Sequence, residues 1–414
     1  MTLKQRLAGW LLEFYTLILR VLRRADRNWA RPDSVMLLPP TSPGSLGDQA
    51  IMRASVGEFL AQGVRRIVVV SYQEDDDWRY LAAPQVELLP MQDYFAYSAW
   101  RMRFRFAYLA SRQRHFYFYG TDQMDGFYHE AYLLKQLDLL RLAAKTGTPG
   151  TIVGFSYNKK PTPKAVQAVQ DLPANVSLCV RDPISLKRVA RHIHRRLELT
   201  ADAAFLLRPA KDSPTLAELR TWMQKQRADG RVLVGVNLNY LFLNQVANFS
   251  VDELVRTYRA ALAEMQARHG NLSFLLLPHD ARGEVSDFAL AGALLASLPE
   301  ADRPRFACLP DAIQADEIKS VCGELEIVLS ARMHVAIACL GMGTPVACMT
   351  YQDKFEGLYE HFGLPEMTIS PERALQPGEF AGFFLPLVQR RSELRALIQR
   401  ELPRVIELSR ANFQ

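Results

Sequence analysis

The stretch Glu326-Ile-Val-Leu-Ser-Ala-Arg-Met-His-Val-Ala-Ile-Ala-Cys-Leu-Gly-Met-Gly-Thr-Pro-Val-Ala-Cys-Met-Thr-Tyr-Gln-Asp-Lys354 decides how the chain is read. Ile327–Leu329 is a short β-branched and apolar run suited to a buried strand, and Val335–Leu340 is an apolar run bounded by the turn glycines Gly341 and Gly343. Pro345–Tyr351 reads as the next strand. In a strand, helix, strand unit the loop leaving the first strand lies at the carboxyl edge of a parallel sheet, where open α/β folds bind ligands. Arg332 and His334 fall in that loop.

The residue types suit an anion. Ser330 is placed to cap the following helix, whose free N–H groups attract negative charge, and Arg332 offers a planar fork for carboxylate or phosphate. His334, in the first turn, adds a charge or exchanges a proton. Lys354, three residues past the next strand, reaches the same edge. The plainer alternatives are a solvated surface for Arg332 and Lys354 and a structural role for His334. For Arg332 and His334, the position directly after a buried strand favours the functional reading.

Composition sets the class. The chain has 414 residues, 49% of them hydrophobic and 23% charged, which suits a folded protein of two domains. Fifty Lys and Arg against 44 Asp and Glu give a net charge of +6 and a pI near 9.0. That modest excess fits an anionic small molecule or an anionic lipid surface; the arginines are dispersed and no nucleic-acid motif accompanies them. The five cysteines show no Cys-x-x-Cys spacing, so the expectation is a reducing cytoplasm, with no structural zinc and no metal site. The acidic run Glu74–Asp77 reads as a solvated turn. Trp100–Phe106 reads as an amphipathic segment.

At the N-terminus Leu3, Leu7, Leu11, Phe14, Ile18 and Leu22 recur at helical spacing, interrupted by Glu13 and Arg20. The run is too short and too broken to span a bilayer. It predicts an amphipathic helix that either packs on the protein itself, the favoured reading, or lies on an anionic membrane at the inner face of the plasma membrane. Trp10 and the cluster Arg20, Arg23, Arg24 and Arg27 support the second.

From Ser34 the chain alternates strands and helices on both sides of the Pro/Gly-containing segment Arg208–Gly230. This predicts an α/β protein of two doubly wound Rossmann-like domains facing a cleft, divided as a helix over 1–31, domains over 32–215 and 216–375, and a helical segment over 376–414. The edge loops supply further candidates. The loop Pro39–Asp48 holds Gly44, Gly47 and Asp48 before a helix, with Asp48 as its cap in the plainer reading. Asp122 and Asp125 end the strand His115–Tyr119, placed to accept from sugar hydroxyls or to cap a helix. Arg181 follows the strand Val176–Val180; His279-Asp280 and Asn237-Leu-Asn239 close two later strands.

Taken together, Ser330-x-Arg332-x-His334, Gly343-Thr-Pro345 and Tyr351-x-x-Lys354 resemble the C-terminal signature of the polysaccharide pyruvyl transferase family. The family's first-loop motif is matched at Gly44, Gly47 and Asp48, with Ser45 where asparagine is usual. Its Arg-Asp-x-x-Ser and Asp-x-Ala-Phe motifs are matched by Arg181-Asp182 with Ser185 and by Asp202–Phe205. The resemblance, covering about Ser34 to Gly363, implies a glycosyltransferase-B-like architecture and no cofactor. It implies phosphoenolpyruvate as donor, held by Arg181 and Arg332, with His334 as proton donor and His279 in reserve. The acceptor is a saccharide or lipid-linked oligosaccharide. A nucleotide-sugar-dependent glycosyltransferase of the same architecture and a non-catalytic glycan- or membrane-binding subunit are the rival readings.

Overall fold

Short runs rich in Val, Ile and Leu form strands here because helices cover both faces of each sheet, so every side chain along such a run is buried. Val35–Leu38 and Ile327–Ser330 are buried throughout. The computed structural model describes residues 3–97, 99–239, 250–281, 286–350 and 354–414, without the side chains of 3–5 and 354. Two units divide the chain: Met1–Pro43, Ser55–Ala203 and Leu408–Gln414 form the first, and Gly44–Ala54 with Ala204–Glu407 the second.

The first unit holds β1 (Arg31–Leu38), β2 (Arg66–Ser71), β3 (Val86–Pro90), β4 (Gln113–Tyr119), β5 (Gly150–Phe155), β6 (Val176–Val180) and β7 (Glu198–Leu199). They form one sheet in the order β3-β2-β1-β4-β5-β6-β7, with parallel pairing. The chain end is bound into this unit. Asn412 accepts from the Gly154 N–H at 2.9 Å and donates to the Ala201 carbonyl at 2.8 Å, while Ser409 donates to the Asp202 carbonyl at 2.7 Å.

The second unit holds β8 (Val232–Val236), β9 (Leu272–Leu276), β10 (Phe306–Cys308), β11 (Ile327–Ser330), β12 (Val346–Met349) and β13 (Thr368–Ile369). Their order, again parallel, is β10-β9-β8-β11-β12-β13. The winding reverses between β8 and β11, so the carboxyl ends of those two strands flank the switch-point crevice.

The N-terminal helix Leu3–Ala25 packs on the first unit, but not through the stripe read from its spacing. Leu12, Thr16 and Leu19 are buried, whereas Leu7, Leu11, Phe14, Ile18 and Leu22 are exposed. Arg23, read as part of a surface cluster, is drawn inward to donate to the carbonyls of Ser111 and Gln113, both at 2.7 Å. The acidic run is a turn, as its sequence suggests: Asp76 accepts from the N–H groups of Tyr72 and Gln73 at 2.9 and 3.0 Å.

Candidate functional site

Three loops of the second unit meet at the switch point. After β8, Asn237 is fully buried, donating to the Leu277 carbonyl at 2.8 Å and to Asp287 at 3.2 Å, and accepting from the Ala331 N–H at 3.3 Å. Asn239 donates to the Ala331 carbonyl at 2.9 Å. The two asparagines thereby fix the loop that carries Arg332. A buried amide is retained at such a place because it satisfies backbone groups that have left the sheet.

Ser330 does not cap the helix Met333–Leu340. Its hydroxyl accepts from the Arg332 N–H and donates to the Arg332 carbonyl, both at 3.0 Å, so it folds the loop back on itself. Arg332 occupies the cap position and no side chain caps the first turn. With no side-chain cap, the first turn presents the positive end of the helix dipole at this edge.

The Arg332 fork, expected to face a substrate, closes instead on carboxylates of its own unit. Nε and one terminal nitrogen meet Asp287 at 3.0 and 2.7 Å, and the other terminal nitrogen lies 3.3 Å from Asp280. Asp287 is fully buried as a side chain. Burial pushes its carboxyl above the usual range against the opposing pull of Arg332. These contacts tie the β11 loop to the β9 loop. Asp287 escaped sequence reading because Ser286-Asp287 looks like an ordinary helix start, and Ser286 does cap that helix.

His334 is half-buried, and the residue packed against it comes from far away in sequence. A Cβ on Gly47 would lie 2.2 Å from His334 Nδ1, so the imidazole rests where only glycine leaves room. The segment Gly44–Ala54 belongs to this unit: Ser45 pairs with Asp280, Gln49 donates to Gln314 at 2.8 Å, and Arg53 pairs with Asp316. Gly44 sits at φ 131°, which turns the chain into the helix Leu46–Ala61. Ser45, not Asp48, serves its start, accepting from the Asp48 N–H at 3.4 Å. Serine fills a cap position as well as asparagine does, so the substitution in the motif leaves the turn intact. The N-termini of two helices therefore flank the His334 ring.

His279 is buried beside this group, and its backbone N–H donates to Asp287 at 3.1 Å. Burial, with His334 and Arg332 nearby, lowers its pKa to about 3, which favours the neutral ring near pH 7 and counts against it as the reserve acid. The sign of the linkage follows. A histidine depressed in the fold gives stability above its unfolded pKa of about 6.5, and that stability drains away as pH falls. Between pH 7 and 5 we expect a loss of about 2 kcal/mol from this residue. Urea titrations at the two pH values should show it, and a His279→Gln variant should lack that share; an equal loss in the variant would assign it elsewhere, for instance to His115, which burial lowers to about 4.

Arg181, Asp122 and Asp125 belong to the first unit. Arg181 lies in the first unit, buried, with Nε on Ser156 at 2.7 Å and a terminal nitrogen on Asp202 at 2.9 Å. Asp182 caps the helix Pro183–Val189, accepting from the Ser185 N–H at 2.7 Å, and the Ser185 hydroxyl accepts from the Tyr157 N–H at 2.9 Å. The two sequence motifs thus meet each other through the Arg181–Asp202 ion pair. Asp122 is half-buried at the carboxyl end of β4, while Asp125 is spent on the backbone N–H groups of Phe127 and Asn158. Tyr351 and the Lys354 side chain lie outside the described residues.

Against known proteins, a family model described as polysaccharide pyruvyl transferase matches residues 46–353. Among solved structures, a Listeria monocytogenes protein described as a UDP-N-acetylglucosamine 2-epimerase aligns at 11% identity, covering 93% of this chain and 97% of its own, with a TM-score of 0.60. A Staphylococcus aureus MnaA–UDP structure gives 10%, 88%, 90% and 0.57 in the same terms. An α,α-trehalose-phosphate synthase (UDP-forming) of Burkholderia xenovorans, in complex with glucose-6-phosphate, gives 12%, 92%, 98% and 0.54. At such identities the likeness shows the fold, the glycosyltransferase-B-like arrangement of two doubly wound domains in one chain.

Proposed function

The chain belongs to the polysaccharide pyruvyl transferase family, and on that premise we propose that it transfers pyruvate from phosphoenolpyruvate to two hydroxyls of a sugar as a ketal. The setting is the biosynthesis of an exopolysaccharide or cell-surface glycan, and the acceptor is a saccharide, free or lipid-linked. The observation that carries the reading is His334, set between two helix N-termini and packed on the motif glycine Gly47.

Such a position suits a trianionic donor. Backbone N–H groups at the two helix starts hold the phosphate or carboxylate, and His334 delivers a proton to the methylene carbon. C2 becomes cationic, the first sugar hydroxyl adds there and gives up its proton, and the second displaces phosphate. One released proton restores His334 and the other leaves with the phosphate. Arg332 holds its loop in register for this step through Asp287 and Asp280 rather than gripping the donor.

The test is incubation of the purified chain with phosphoenolpyruvate and a panel of free and lipid-linked saccharides, following inorganic phosphate and the product methyl signal. Phosphate should appear in step with the ketal. Release of nucleotide from a UDP-sugar with no phosphate from phosphoenolpyruvate would move the chain to the nucleotide-sugar transferases. Saccharide binding without turnover of either donor would make it a binding subunit.

A further inference from the structure

The N-terminal helix turns its apolar stripe outward. Trp10, Phe14 and Leu17 are 79%, 63% and 54% exposed, and Leu7, Leu11 and Val21 continue the same face. Single exposed apolar residues are ordinary on a protein surface; a continuous face of them on one helix marks a contact. Trp100, 52% exposed, extends it, joined to the helix through Phe104, which packs on Tyr15. Arg20 and Arg24, four residues apart, join Trp10, Phe14 and Leu17 in lining a groove of about 1010 Å³ that Gly147 and Pro173 also line. The Arg20 stem lies over Gly147.

We propose that this face docks on the surface of a bilayer containing anionic lipid, with the helix lying in the plane of the interface. The apolar face enters the acyl boundary, the indole rings of Trp10 and Trp100 sit at headgroup level, and Arg20 and Arg24 meet lipid phosphates at the groove. Charge selects this occupant. Glu13 is the helix's one carboxylate, and it is already paired with Lys145. A second copy of the chain would bring the same arginines and no free acidic side chain of that helix to meet them, whereas an anionic bilayer supplies both an apolar interior and negative charge. No helix among the described residues is long and apolar enough to cross a membrane, so contact is by lying on the surface.

Vesicle co-sedimentation of the full chain tests this without reference to transfer activity. Vesicles of equal parts phosphatidylglycerol and phosphatidylcholine should bind at least about tenfold better than phosphatidylcholine alone. Trp10→Glu with Phe14→Glu, both at open positions, should lower that binding by about tenfold or more. Arg20→Glu with Arg24→Glu should lower it by at least about twentyfold, counting about fivefold for each of the two positive charges lost and more for the negative charges gained. The control pair Lys211→Glu with Lys225→Glu, exposed in the second unit, removes the same charge and should leave it nearly unchanged. Failure to bind, equal binding to both vesicle types, or equal loss in the control pair overturns the proposal. So does a dimer, seen by sedimentation velocity without lipid, that the Trp10/Phe14 pair converts to monomer.

Discussion

A His334→Gln protein should turn over at least about a hundredfold more slowly than the parent while binding phosphoenolpyruvate with a much smaller change. The loss is the usual share of a general acid, and glutamine keeps a hydrogen bond without supplying a transferable proton. The ring stands at the first turn of an uncapped helix and against the start of a second one. His279 is the weaker candidate for this step, because burial favours its neutral form. Two measurements separate chemistry from binding: phosphate release under saturating donor, and entry of solvent deuterium into the product methyl group. A variant that keeps normal turnover and normal deuterium entry would leave His334 only a phosphate-positioning group.

The strand and helix series was legible because period and composition agree over most of it. The run Ile327–Leu329 became β11, and the run Val176–Val180 became β6. The edge loops were legible as places, since any residue just after a buried strand must emerge at the carboxyl edge. Partners across loops were not. That Arg332 faces Asp287 rather than solvent depends on a loop about fifty residues earlier. That Arg181 faces Asp202 depends on which of several carboxylates the β7 turn brings inward. The N-terminal helix shows the same limit from another side. Its spacing reveals an apolar stripe but not which way the stripe faces, because Leu12 and Leu19 offer a second, shorter line of apolar contacts that wins against the sheet-covering helices. Gly47 against His334 was the least legible contact. Only the tertiary fold puts the first loop beside the eleventh strand's exit.

Asp287→Ala should destabilise the second unit by about 3–5 kcal/mol, the second large effect expected of this site. The carboxylate is fully buried and holds both Nε and a terminal nitrogen of Arg332, so its removal strips a largely buried guanidinium of its bidentate partner and leaves it the longer contact with Asp280 at 3.3 Å. Asn237 and the His279 N–H lose an acceptor in the same change. The pair itself need not add much, because the desolvation of two charges offsets most of their attraction. A double variant with Asp287→Leu and Arg332→Met should therefore recover much of the stability, measured by urea unfolding, while remaining inactive because the β11 loop has lost its tie to the β9 loop. Isothermal titration with phosphoenolpyruvate then decides what the fork is for. If Asp287→Ala is as stable as the parent and only donor affinity changes, Arg332 is free to turn toward the substrate and its carboxylate contacts are not structural. If stability falls and Arg332→Lys, which keeps the charge but not the bidentate geometry, falls with it, the fork belongs to the scaffold and the donor's anionic groups are left to the helix N-termini and His334.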